Sequence, residues 1–124
     1  MKPSEAELEI LQIVWQHQPV TVRTVHELLS HTKNVGYTTT LKQMQRMVEK
    51  KMLEKDETEK TQTYKSLINE KETRDQLFNK FLQTTFGGSA LELAMHALGK
   101  SKVSADELES LKKWIEKKEG QGYD

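Results

Sequence analysis

The sequence predicts a mainly α chain with one small β-hairpin, ordered as three helices, two short strands and three more helices. Apolar residues recur at helical spacing in six segments, five of them behind a capping residue. Between the third and fourth of these, Leu53–Glu57 and Gln62–Ile68 read as extended chain around a polar Thr58–Thr61 connection. Past Asn69 the pattern is helical only.

Ser4 and Glu7 have capping-box spacing, and Leu8, Ile10, Leu11, Val14 and Trp15 follow on one side, so a helix is expected from Ser4 to about Gln16. Pro19 ends that segment. Thr21 is a candidate cap for a short second helix with Val22, Val25, Leu28 and Leu29 as its apolar face. The polar stretch Ser30–Gly36 reads as a loop. A third helix follows, capped by one of Thr38, Thr39 and Thr40, with Leu41, Met44, Met47 and Val48 as its buried stripe. Thr39, Lys42, Gln43, Arg46 and Lys50 fall on the other side.

The two extended segments form a hairpin. Thr63 and Tyr64 favour a strand, and the absence of Asn-Gly or Asp-Gly predicts a tip longer than a tight turn. From about Glu70, Leu77, Phe78, Phe81, Leu82 and Phe86 make an aromatic helical stripe that Gly87-Gly88 stops. Ser89 caps a fifth helix bearing Leu91, Ala94, Ala97 and Leu98, which Gly99 closes. Ser104 and Glu107 form a second capping box ahead of Leu108, Leu111, Trp114 and Ile115, and the chain past Lys118 reads as frayed. Two domains are expected, a compact head at 1–69 and a helical segment at 70–124.

With 19 basic and 19 acidic residues, bulk charge gives no support to nucleic-acid binding. Its distribution does. Residues 28–48 hold no Asp or Glu but carry His31, Lys33, Lys42 and Arg46. In a chain of 124 residues, 31% of them charged, only a thin core can be buried, which favours burial shared with a second subunit. The absence of cysteine excludes disulfides, thiolate nucleophiles and cysteine-ligated metal. His17, His26, His31 and His96 form no i,i+4 pair and no cluster with acids, so no metal site and no cofactor is expected. Gly87-Gly88 lacks the strand and lysine of a phosphate loop, and no paired acid and base is evident, so an enzyme is not expected. No apolar run is long enough to cross a bilayer; no membrane insertion and a cytoplasmic location are expected.

Three short helices followed by a hairpin is the order of a winged helix-turn-helix, whose third helix enters the major groove of double-stranded DNA. Threonine hydroxyls and backbone N–H groups at a helix N-terminus suit phosphate oxygens. Thr38, Thr39 and Thr40 are therefore candidate DNA contacts, with Lys42, Gln43 and Arg46 on the next turns and Lys60 at the wing tip. Thr21 and Arg23, at the start of the second helix, are further candidates. The same stripe would also suit an ordinary solvated helix face, and Glu57 and Glu59 offset Lys60. A winged-helix protein-interaction module without DNA binding is the alternative, kept open by zero net charge and an acid-rich hairpin. Phe78, Phe81, Leu82, Phe86, Leu91, Leu98, Leu108, Leu111, Trp114 and Ile115 are candidates for a dimer core, against packing within one subunit.

Several segments resemble the BlaI/MecI/CopY family of bacterial repressors, the penicillinase repressors. They are Ser4-Glu5-Ala6-Glu7-Leu8-Glu9-Ile10-Leu11 through Trp15, Thr40-Leu41-Lys42-Gln43-Met44, Lys50-Lys51, Tyr64, Phe86-Gly87-Gly88-Ser89 and Ser104-Ala105-Asp106-Glu107-Leu108. The resemblance implies a homodimer joined by its C-terminal helices, bound to a palindromic operator, and relieved by an antirepressor. In the β-lactam-responsive members that partner is a membrane metalloprotease. There are departures. Met52 stands where the family has a glycine after the recognition helix, which implies a helix that runs on or ends without a left-handed cap. No Asn-Phe cleavage pair lies near Met95-His96, and the cysteine cluster of the copper-responsive branch is absent.

Overall fold

The computed structural model describes residues 2–121. Its elements run α1 (Glu5–His17), α2 (Val22–Leu29), α3 (Tyr37–Glu49), β1 (Leu53–Asp56), β2 (Thr63–Ser66), α4 (Glu70–Phe86), α5 (Ala90–Lys100) and α6 (Ala105–Gly120), so the expected order is observed. Two compact units divide inside α4, between Gln76 and Leu77. The first turns of α4 thus go with the head, where Thr73 is buried and its hydroxyl donates to the Asn69 carbonyl at 2.9 Å.

In the head, α1 begins as its sequence dictates. The Ser4 hydroxyl accepts from the Glu7 N–H at 3.2 Å while the Glu7 carboxylate accepts from the Ser4 N–H at 2.8 Å. Thr21 caps α2 by accepting from the Thr24 N–H at 3.1 Å. Ile10, Leu11, Val14, Val22, Val25, Leu29, Met44 and Met47 bury one core from three helices, which Met52, Leu53 and Tyr64 extend to the hairpin. The stripe expected on α3 is displaced slightly: Leu41 and Val48 are only partly buried, and Thr40 joins Met44 and Met47 inside.

The hairpin is antiparallel, with Leu53 opposite Ser66 and Asp56 opposite Thr63. Both strands are shorter than expected, and the connection at 57–62 is longer than a tight turn, as its composition implied. The Asp56 carboxylate starts it by accepting from the Thr58 N–H and hydroxyl at 2.9 and 2.7 Å. A third extended segment was not foreseen. Val20 and Tyr64 exchange backbone hydrogen bonds of 3.1 and 2.8 Å, which ties the α1–α2 connection to the wing. The Trp15 indole N–H adds a second tie, shared between the Ser66 hydroxyl and the Ile68 carbonyl at 3.0 and 3.1 Å.

Four terminus expectations are corrected. The cap of α3 is Gly36, whose carbonyl already accepts from the Thr40 N–H at 3.2 Å, so the three threonines lie inside the first turns rather than ahead of them. α5 runs through Gly99 to Lys100, and α6 continues past Lys118 to Gly120 with Lys117 and Lys118 on the favourable side of its dipole. The helix α3 does end in a left-handed cap, but at Lys51, φ 63°, rather than at position 52. Lys51 N–H donates to the Val48 carbonyl at 3.0 Å and Met52 N–H to the Met47 carbonyl at 2.8 Å, with Met47 and Met52 both buried. That is a Schellman closure formed without glycine.

In the second unit, Ser89 and Ser104 cap α5 and α6 as expected, the latter as a full capping box. Gly87 and Gly88 end α4 with φ of 58° and 89°, conformations open chiefly to glycine. No side chain of α5 or α6 is buried.

Candidate nucleic-acid interface

A helix can present a reading face only if its opposite face is anchored. Buried Thr40, Met44 and Met47 hold α3 against the core, which turns Thr38, Thr39, Lys42 and Arg46 to solvent with Gln43 half-buried beside them. Gln45 is exposed on the same helix; sequence reading passed over it because its charge is neutral. Thr40 itself, expected as a DNA contact, is corrected. It is 1% exposed, and its hydroxyl meets His26 Nδ1 at 3.1 Å. Only Thr38 and Thr39 of the trio face outward.

The candidates from α2 and the wing meet at one place. Thr21, Val22 and Arg23 from α2, Tyr37 and Leu41 from α3, and Lys60, Thr61, Gln62 and Tyr64 from the hairpin line an open groove of about 580 Å³. The lining combines the cations Arg23 and Lys60 with aromatic and aliphatic side chains. The Arg23 guanidinium lies 5.8 Å from the Tyr37 ring centre, a cation–π contact, and the His26 ring meets Tyr37 edge-on at 5.5 Å. Tyr37 was missed by sequence reading. An aromatic just after a glycine gave no periodic signal, and only the fold places it between α2 and the wing.

Charge pairing sharpens the picture. Lys33 is bound to Glu9 at 3.1 Å and Lys50 to Glu7 at 3.0 Å, so two of the basic residues around the acid-free stretch are neutralised in place. Among the described residues no ion pair engages Lys42, Arg46, Arg23 or Lys60. Burial pushes the Glu7 carboxyl up, but the Ser4 N–H, the Lys50 ammonium and the Ser4 hydroxyl together hold it below the usual carboxylate range. The Thr58 hydroxyl and N–H likewise keep the Asp56 carboxyl low, at the strand end that leads into the connection carrying Lys60.

The second unit offers a different surface. Phe78, Phe81, Leu91, Leu98, Leu108, Trp114 and Ile115 are exposed, Leu91 by 70% and Trp114 by 58%, while Leu82, Phe86 and Leu111 are half-buried. Phe86 stands between Phe81 at 5.8 Å and His96 at 5.5 Å. Met95, 64% exposed, belongs to this surface and was not among the expected residues. An apolar area this extended is unusual on an isolated chain.

Among the described residues no helix is long and apolar enough to cross a membrane. Comparison with known proteins gives one consistent result. The sequence model described as penicillinase repressor matches residues 3–117. Methicillin resistance regulatory protein MecI of Staphylococcus aureus (strain N315) is 24% identical over 115 residues, 93% of this chain and 94% of that protein. The penicillinase repressor of Bacillus licheniformis is 23% identical over 113 residues, 91% of this chain and 88% of that protein. MecI of Mammaliicoccus sciuri is 23% identical over 115 residues.

Proposed function

From its membership of the penicillinase repressor family, to which the chain belongs, and from the unpaired cations of α3, we propose that it is a sequence-specific DNA-binding transcriptional repressor acting as a homodimer on a palindromic operator. The carrying observation is the outward face of α3. Among the described residues Lys42 and Arg46 have no acidic partner, and Thr38, Thr39 and Gln43 stand beside them. In this reading α3 lies in the major groove, Gln43 and Lys42 meet base edges, and Arg46 meets a base or phosphate. The groove between α2 and the wing takes the adjoining backbone, with Thr21, Arg23 and Lys60 as phosphate contacts. Thr40 fixes the helix from inside.

The exposed faces of α4, α5 and α6 supply the homodimer contact, which sets two heads on two half-sites. Repression ends through an antirepressor or a proteolytic signal, by analogy with the family; a membrane antirepressor protease is the partner proposed for that step.

The test starts from duplexes selected by the wild-type chain out of a random-sequence pool. Affinity for a selected duplex should fall steeply with salt. K42E and R46E should each weaken binding at least tenfold and reduce the salt slope by about 0.9 for every phosphate contact removed. A protein-interaction module, which an acid-rich hairpin would suit, predicts no sequence selection and no salt slope.

A further inference from the structure

The geometry points to His26 as a positioning residue for the reading helix, a role that rests on α3 being the DNA reader. Most of what joins α2 to α3 is close apolar packing, which fixes shape but contains no directional bond; a hydrogen bond adds an angular restraint to it. The directional contact between the two helices is polar. His26 Nδ1 lies 3.1 Å from the Thr40 hydroxyl, and the His26 ring abuts Tyr37 in an edge-on contact at 5.5 Å. Tyr37 is the first residue of α3, and Thr40 closes its first turn onto Gly36.

Counting protons assigns the direction of these bonds. The Ser30 hydroxyl donates its one proton to the His26 carbonyl at 2.7 Å, so toward His26 Nε2, 3.4 Å away, it can only accept. Nε2 therefore carries the hydrogen in the neutral ring, and Nδ1 is left as an acceptor. Thr40 O–H donates to it, in preference to the Gly36 carbonyl at 3.5 Å. The Thr40 hydroxyl is buried, and among the described residues its other acceptor is that long contact within its own turn.

The consequence is specific to reading DNA. Thr38 and Thr39 sit between the two residues that His26 touches, and Lys42 follows one turn on. A loosened first turn blurs the placement of those side chains against base edges. Diffuse phosphate attraction tolerates such movement, whereas bidentate base contacts do not. His26 thus sets the ratio of specific to non-specific affinity more than the affinity for DNA in general.

H26A and T40V are to be measured with a duplex selected by the wild-type chain and with a shuffled duplex of equal composition. Each substitution should lower the ratio of the two affinities about tenfold, the equivalent of one hydrogen bond with its orphaned partner. Binding to the shuffled duplex should stay within twofold. The double variant H26A/T40V should be no worse than H26A alone, because H26A already deletes the bond that T40V removes. H26N, whose Oδ1 can occupy the place of Nδ1, should recover most of the loss. A merely structural role would lower the melting temperature and leave the ratio alone, and that result, or additive losses in the double variant, overturns the assignment. Amide exchange separates this from failure of the repressor reading. If the wild-type chain selects no sequence, that reading falls, and faster exchange at Thr40 and Leu41 in H26A still supports the positioning role, whereas unchanged exchange rejects it.

Discussion

Replacing Lys51 by glycine should stabilise the protein although it removes a long cationic side chain next to the proposed reading helix. Lys51 holds φ 63°, where an L side chain crowds its own backbone at a cost of about 1–2 kcal/mol. Glycine escapes that cost but frees the unfolded chain, which returns about 0.4–1 kcal/mol in the opposite direction. The net gain is about 1 kcal/mol. The two closing hydrogen bonds, at 3.0 and 2.8 Å, use backbone atoms only and survive the change. Lys51 is exposed and joins no ion pair among the described residues, so no contact is forfeited. Urea titrations at one fixed protein concentration should move the midpoint upward with an unchanged slope. K51A is the control. Alanine keeps the left-handed cost and should leave the midpoint close to wild type; if K51A gains as much as K51G, or K51G gains nothing, left-handed strain is not what Lys51 stores.

Other changes test other joints. E7A removes the acceptor that both closes the α1 capping box and meets Lys50, and should cost about 1–2 kcal/mol in the same titration; Lys50 is more than half exposed, so its share is small. Because the Glu7 carboxyl is held below its usual value of 4.5 in the fold, its contribution is whole above that pH and is lost as pH falls through the lowered folded value. E7Q should therefore flatten stability against pH in the acid range below about pH 5. W15F deletes the indole N–H shared by Ser66 and Ile68, and thermal melts should register a loss of about 1 kcal/mol or more. F81D or L111D should convert a dimer into monomers on light scattering and weaken binding to a selected duplex; an unchanged mass would remove these residues from the assembly surface.

Local chemistry was legible wherever it was self-contained. Both capping boxes, the Thr21 and Ser89 caps and the Gly87-Gly88 stop could be read because each is a pairing of near neighbours in the chain. What was missed depends on partners far away. Thr40 resembles an exposed helix-start residue until His26, from another helix, claims its hydroxyl. The exchange between Val20 and Tyr64 joins residues that no local pattern links. The left-handed turn could not be placed by looking for glycine, since the residue that adopts it is lysine, and what compels it is burial of Met47 and Met52 on either side. For the site, the outward stripe of α3 was readable from periodicity, but the convergence of Arg23, Tyr37 and Lys60 on one groove was not.

Zero net charge is no obstacle to a polyanionic partner once the pairing of individual charges is considered. At physiological ionic strength a charge is felt over about 8 Å, so acids at the far side of the molecule do little to the field at α3. Several acids of the head are engaged with lysines. Glu7 and Glu9 hold Lys50 and Lys33, and Glu57 holds Lys55. Such exposed pairs contribute little to stability. Their effect is subtractive: they cancel Lys33 within the acid-free stretch and Lys50 just beyond it, and among the described residues leave Lys42 and Arg46 as cations without an ion pair. The positive charge left without an ion pair among the described residues of α3 lies on its outward face, where Lys42 and Arg46 are exposed. It favours alignment of α3 with a groove over general adhesion to nucleic acid. Exchanging Glu9 for glutamine should release Lys33, raise affinity for shuffled DNA more than for a selected duplex, and so lower the specificity ratio. A rise confined to the selected duplex would mean that Lys33 is itself part of the reading face.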